Sequence, residues 1–242
     1  MKIENFDLDK EVLIVAEIGN NHEGSFEHAC KLVEAAAKAG VHAVKFQTYK
    51  TELFVNPKDQ ARWHRMKKFE LKQEEFKSLS TLAHQLGLLF ISTPLDLESA
   101  NFLNNIVSAF KIASGDNNWI ALLEYVASTG KPLIISTGLS NLRDLKQTTT
   151  VIESVWQRAA VSSSLILLHC VTSYPVPDSQ ANLLAIHELQ RSFSYAIGYS
   201  DHTLGIQASI LAVALGAKII EKHFTLDKNF SDFRDHKLSA DP

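Results

Sequence analysis

Two histidines late in the chain, His202 and His223, are of the type that holds a divalent transition-metal ion, and carboxylates such as Glu17 or Asp235 are candidates to complete its shell. Lys45 and Lys111 form a small cationic group with the hydroxyls of Ser114, Ser136 and Ser200 and the backbone at Gly115 and Gly138. Lysines, hydroxyls and free N–H groups together suit a phosphate. Glu17, Asp116 and Glu221 supply acid and base capacity. Each residue also has a plain structural reading. Strand lysines pair with carboxylates, and Ser-Thr-Pro and Ser-Thr-Gly are ordinary turn chemistry. His22 can satisfy loop backbone, and His169 and Cys170 read as packing residues. The case for a site rests on where these residues fall together.

They fall at the ends of a repeating pattern. Eight apolar, β-rich runs end in polar or small residues: Val12–Gly19, His42–Thr48, Leu88–Pro94, Ala109–Gly115, Pro132–Gly138, Leu165–Val171, Tyr195–Asp201 and Lys218–Thr225. Near-continuous apolar runs are those of strands buried on both faces. Between them lie helical patterns such as Ser25–Gly40, Gln73–Gly87, Ile120–Gly130 and Ile206–Gly216, each closed by a glycine. Eight strand–helix repeats without reversal predict an α/β fold, a parallel (β/α)8 TIM barrel, over the open doubly wound alternative. Such barrels carry their sites at the C-terminal ends of the strands, where these residues stand. Residues two apart share a strand face, so Glu221 and His223 point one way and Lys222 the other. Lys45 pairs in this sense with Gln47, and Ser200 with His202. No linker divides the chain, and residues 1–242 read as one catalytic domain. The stretch Lys50–Leu71 reads as irregular and too long for a simple connection, which is typical of a functional lid.

Composition narrows the function. Lys and Arg total 24 against 27 Asp and Glu, so the net charge of −3 gives no positive excess for nucleic acid. No run approaches the roughly 18 apolar residues of a membrane span, and the N-terminus lacks a signal-peptide core. Two cysteines, Cys30 and Cys170, make no disulfide framework and suit a reducing cytoplasm. His28, His42, His64, His84 and His187 read as surface or helix residues.

The segments AEIGNNHEGS, VKFQT, FISTPLD, FKIASGD, KPLIISTGL, LLHCVTSYPVP, IGYSDHT and IIEKHFTLDK occur in this order from about Val12 to Pro242. In them the chain resembles the catalytic barrel of the sialic acid synthase family, the N-acetylneuraminate synthases with their pseudaminic and legionaminic relatives. The resemblance implies condensation of phosphoenolpyruvate with an open-chain N-acylated amino sugar, N-acetylmannosamine or a related one, giving a nine-carbon 2-keto acid and phosphate. It implies a divalent cation, Mn2+ or Mg2+, on His202 and His223. It places phosphoenolpyruvate on Lys45, Thr93, Lys111, Ser114, Ser136 and Ser200, with Gln47 beside them, and the sugar on Glu17, Tyr174 and Asp235, with Asp232 as fallback for the last. Glu221 and Asp116 match carboxylates at the reacting centre, Asp116 being one methylene shorter than the family's usual Glu. Thr172 stands where many members have Asn.

Other readings stay open at this level. They are a barrel that binds phosphoenolpyruvate or sugar without turnover, and a Schiff-base aldolase using Lys45 or Lys111. A sugar-phosphate acceptor calls for further cations, and no arginine stands at the strand ends, which argues against one. Asp241 and Pro242 read as the cap and first residue of an eighth helix. The expectation is therefore a barrel without that helix and without the family's C-terminal antifreeze-like domain. An open seam exposing apolar surface beside the last strand is expected, and a weakened homodimer.

Overall fold

Strand–helix alternation closes on itself in the computed structural model, which describes residues 1–242. A short hairpin, β1 (Lys2–Ile3) and β2 (Phe6–Asp7), precedes the barrel strands β3 (Leu13–Gly19), β4 (Ala43–Thr48), β5 (Leu89–Pro94), β6 (Ala109–Ile112), β7 (Leu133–Ser136), β8 (Leu165–Cys170), β9 (Ala196–Asp201) and β10 (Ile219–His223). All neighbouring barrel strands pair in parallel, in the closed order β10-β3-β4-β5-β6-β7-β8-β9. Outside run α1 (Phe26–Lys38), α2 (Thr51–Phe54), α3 (Gln60–Phe69), α4 (Gln73–Gln85), α5 (Leu97–Leu103), α6 (Ile120–Ser128), α7 (Leu142–Ala159), α8 (Ala185–Ser192), α9 (Gln207–Ala214) and α10 (Arg234–Leu238). Ser25 caps α1 by accepting from the His28 N–H, and the glycines after α1, α4, α6 and α9 adopt the left-handed backbone the sequence pattern predicts.

Strand parity divides the barrel into layers. Outward residues such as Ile18, Val44, Phe46, Phe90, Phe110, Ile135 and Leu167 pack under the helices. Inward residues near the strand starts, among them Leu13, Val15, Ala43, Ile91, Ala109, Ile134, Ile166 and Ile219, fill the lower interior together with Ile3 and Leu8 from the hairpin region. The hairpin plugs the floor, an element too short to show alternation in sequence. Two positions further along most strands the inward residue turns polar, and the apolar plug gives way to a site; on β8 Leu168 stays apolar.

One expectation is corrected. Lys50–Leu71 is not irregular, since it carries α2 and α3. Asp59 caps α3 by accepting from the Arg62 N–H at 3.1 Å, and Glu70 accepts from both the backbone N–H and the hydroxyl of Thr51. The sheet itself closes. Residues Ile219–His223 of β10 register against Leu13–Glu17 of β3. The segment beyond is tied back: Asn21 Nδ2 donates to the Phe224 carbonyl and to Ser239 Oγ, at 2.8 and 3.0 Å. Apolar surface is exposed in the helical layer beside it, where Leu204 and Ile206 before α9 and Ile210 and Leu211 on it are all more than half exposed.

Candidate active site

Above the apolar plug the inward side chains enclose a cavity of about 380 Å³ at the C-terminal ends of the strands. Its walls include Glu17, Lys45, Gln47, Thr93, Lys111, Ser114, Asp116, Ser136, Tyr174, Ser200, His202, Glu221 and His223, all singled out from sequence. Asp235 lies apart, in an adjoining lobe of about 290 Å³ that shares Gln47, Tyr174 and His223 with the main cavity. Asp235 is buried on α10, whereas its fallback Asp232 is exposed. Ser92, Asp201 and Lys222 face outward. Lys222 pairs with Asp201 at 3.3 Å, and Ser92 hydrogen-bonds Thr48. His169 bonds the Ala181 carbonyl and stacks on Tyr199, as a packing residue does.

The floor is a charge cluster. Lys45 Nζ lies 2.9 Å from Glu17 Oε1 and 3.7 Å from Glu221 Oε2, and also donates to Thr93 Oγ1. Lys111 donates to Ser136 Oγ at 2.7 Å and approaches Glu221 at 4.0 Å, while Ser200 Oγ donates to Glu221 at 2.9 Å. Buried charges persist only when compensated, and here two ammonium groups face two carboxyl groups. Ser114 Oγ is buried with no partner, ready to bond a ligand. Gly138 makes room for it, because a Cβ there would lie 2.7 Å from that oxygen.

Environment separates the two glutamates. Burial opposes ionisation of Glu221, but Lys111 and Lys45 outweigh it and hold its pKa down to about 2. Burial raises Glu17, and the negative Glu221 adds to the rise against the pull of Lys45. Burial disfavours charge on both lysines. Glu17 and Glu221 more than offset it for Lys45, which sits above the usual lysine value, whereas Lys111 stays below it. Burial also raises the Asp116 carboxyl. Carboxyl groups driven apart in this way take different roles.

The histidines sit together one level up, with ring centroids 5.7 Å apart and Tyr174 packed 4.1 Å from His202. His202 Nδ1 donates to the Val171 carbonyl at 2.8 Å, which leaves the Nε2 lone pair for an ion. His223 Nδ1 is buried without a partner, and burial lowers the His223 pKa to about 4, so the ring is neutral. The pair therefore fits a metal ion. The expected third ligand is not there: no three His, Cys, Asp or Glu side chains converge on one point. Glu17 is held by Lys45 and Asp235 by Arg234.

The residues missed from sequence come mainly from the loop and helices after β4. Phe54 and Arg62 of the α2–α3 segment line the main cavity, as does Cys170, which the sequence reads as a packing residue. The Arg62 guanidinium lies over the Phe54 ring at 4.9 Å, and that of Arg234 over Tyr174 at 4.1 Å. Asp59, a helix cap just ahead of Arg62, is the signal that would have placed a helix there.

Comparison with known proteins agrees with this architecture. The family model described as the NeuB family matches residues 32–242. An uncharacterised protein of Methanocaldococcus jannaschii, MJ1065, is 49% identical over 95% of this chain and 66% of its own length. The N,N'-diacetyllegionaminic acid synthase of Campylobacter jejuni is 40% identical over 96% of this chain and 73% of its own. The solved N-acetylneuraminic acid synthetase of Leptospira borgpetersenii, in complex with citrate, superposes with a TM-score of 0.90 at 37% identity, over 96% of this chain and 79% of that one. The chain thus spans about two thirds to four fifths of the proteins it matches. On its sequence, and on the barrel that sequence builds, the chain belongs to the NeuB family.

Proposed function

We propose that the barrel, residues 1–242, acts as one catalytic unit that condenses phosphoenolpyruvate with the open-chain aldehyde of an N-acylated amino sugar to give a nine-carbon 2-keto acid and phosphate. The observation that carries this reading is the placement of a buried lysine–hydroxyl cradle directly beneath a histidine pair in one cavity. Names of relatives in the same family point the same way.

The chain's residues divide the work. Lys45 and Lys111, with Ser114, Ser136, Ser200 and Thr93, bind the phosphate and carboxylate of phosphoenolpyruvate, and the lysines exchange their contacts with Glu17 and Glu221 for the substrate's charges. His202 and His223 would hold a divalent cation, which when bound would supply Lewis-acid polarisation of the aldehyde. Tyr174, Gln47 and Asp235 orient the sugar above, holding its carbonyl carbon against C3 of the enol. The new C–C bond leaves positive charge at C2. Water adds there, and one of its protons goes to Glu17, whose raised pKa and unpartnered Oε2 suit a base. The aldehyde oxygen takes up a proton to become a hydroxyl. The C2–O bond to phosphate then breaks while the C2 hydroxyl passes its proton to the leaving phosphate, which leaves the ketone, and the lysines hold the departing phosphate. Glu221, kept ionised between the lysines, sets their position.

The test is phosphate release from phosphoenolpyruvate with N-acetylmannosamine and related amino sugars plus manganese, with and without chelator. Metal-dependent release is expected. Its absence across the sugars, in folded protein, rejects the reading.

A further inference from the structure

The two histidines that would hold the cation are tied to opposite neighbours and not to each other. The register between β9 and β10 ends at Asp201 and Lys222, one residue short of both rings. His223 is registered on β3, opposite Glu17, and its carbonyl accepts from the Ala240 N–H at 2.7 Å. His202 lies just beyond β9 and is held from the other side. Its carbonyl accepts from the Val176 N–H at 2.9 Å and its Nδ1 donates to the Val171 carbonyl, both in the segment after β8. Neighbouring strands are rotated against one another, so backbone pairing alone does not fix the gap between the rings.

On the outer face of the sheet a buried network spans that gap. Lys222 Nζ lies 3.3 Å from Asp201 Oδ2 and donates to the Thr203 carbonyl at 2.9 Å, so it grips the residues on both sides of His202. Asp201 is fully buried and fully engaged. Its Oδ1 accepts from the N–H and the hydroxyl of Thr203, both at 2.8 Å, and its Oδ2 accepts from Ser209 of α9 at 2.6 Å. The residues that immediately precede the two histidines are thus the two ends of one ion pair. A buried ion pair adds little net stability over an apolar replacement, which leaves geometry as its contribution here.

We infer that Asp201 and Lys222 are positioning residues that set the spacing of His202 and His223 from the reverse face of the sheet, and with it the affinity for the divalent cation. The inference rests on the histidines being the cation's ligands, as the proposed function has them.

The test measures manganese binding to the full chain by calorimetry, alongside phosphoenolpyruvate binding to the metal-free protein and melting curves. D201N and K222M are each expected to bind manganese about 10–100-fold more weakly, the usual loss when groups that orient metal ligands are removed. Phosphoenolpyruvate affinity without metal should stay close to that of the wild type. K222R, which can keep the pair, should retain more manganese affinity than K222M. The double variant D201N/K222M decides between positioning and stability, because it leaves no unpaired charge. A pair serving stability alone predicts that this variant regains both melting temperature and manganese affinity. Positioning predicts that the melting temperature recovers and the affinity stays low. Wild-type manganese affinity in D201N/K222M overturns the inference. So does an equal loss of phosphoenolpyruvate and manganese affinity, or a wild type that binds no manganese, whatever the phosphate assay shows. Manganese binding with the expected losses but no phosphate release would reject the condensation and leave the positioning role standing.

Discussion

Glu17 and Lys45 form a 2.9 Å ion pair almost closed to solvent, yet the second oxygen of Glu17 has no hydrogen-bond partner. A carboxyl group that is gripped on one side and idle on the other is placed to receive a proton. Replacing it by glutamine keeps the shape and removes that capacity. Glu17→Gln is expected to lower turnover by about 10²–10⁴-fold while the KM for phosphoenolpyruvate changes much less. Because the folded pKa of Glu17 is raised, wild-type activity should fall on the acid side as the group gains its proton, above the ordinary carboxylate range. That limb should vanish in the variant. Wild-type turnover in Glu17→Gln would place the base elsewhere.

Lys111 has a pKa lowered by burial, a trait shared with lysines that form Schiff bases. Its 2.7 Å bond to Ser136 and its approach to Glu221 instead describe a charged phosphate holder. Lys111→Met should raise the KM for phosphoenolpyruvate at least about a hundredfold, the scale of one or two lost charge-assisted contacts. Borohydride added to the wild type with both substrates should leave its mass unchanged. A stable adduct on Lys45 or Lys111 would establish the aldolase chemistry.

The histidine pair offers two nitrogens and no third protein ligand. Losing one ring should therefore abolish stoichiometric manganese binding. His202→Ala and His223→Ala are each expected to lose it by direct metal analysis, with melting temperatures close to the metal-free wild type. Retained stoichiometric manganese in both variants would reject the pair as ligands.

His22 is buried in the loop after β3, where its Nδ1 accepts from the Gly24 N–H and burial holds its pKa down to about 3. In the unfolded chain the ring titrates near 6.5. On acidification the unfolded state takes up this proton first, so stability is full above pH 6.5 and declines as pH falls towards 3. The melting temperature of the metal-free protein should drop accordingly. His22→Gln, which can still accept from Gly24, should show a shallower decline. An identical slope in both proteins would count against this assignment.

Gly24 joins that loop to α3. Its φ is +83°, and a Cβ there would lie 2.0 Å from the Lys68 carbonyl oxygen, so any side chain must push the helix away. Gly24→Ala is expected to cost about 1–3 kcal/mol of stability, the usual scale of backbone strain. It should also alter acceptor KM more than that of phosphoenolpyruvate, because α3 carries Arg62. Unfolding curves and steady-state kinetics together check both parts.

The eight strands and their inward polar ends were legible because burial on both faces writes a dense apolar run and parity assigns the faces. Glu17, Lys45, Lys111, Glu221 and His223 could be placed by counting alone. The α3 helix could not. It buries only Met66 and Phe69, so its apolar stripe is nearly absent and its basic residues look like a solvated loop. Arg62 was lost with it. The strands β1 and β2 are two residues each, too short for any period to register. Asp235 and Asp232 differ only in burial, which the sequence around them does not encode. Strand pairing between β10 and β3 depends on backbone register and not on the helical layer outside it, so the sheet closes while apolar surface stays exposed around α9.

The plug formed by Ile3, Leu8 and the lower strand residues makes the cavity a blind tube. Whatever binds at its floor must pass the mouth before anything occupies the middle. A sugar lodged between Tyr174 and Arg62 would trap phosphoenolpyruvate below it or bar it from arriving. For the proposed condensation the architecture would impose a queue, in which the three-carbon donor enters first, the sugar follows, and the long product leaves before the phosphate beneath it can escape.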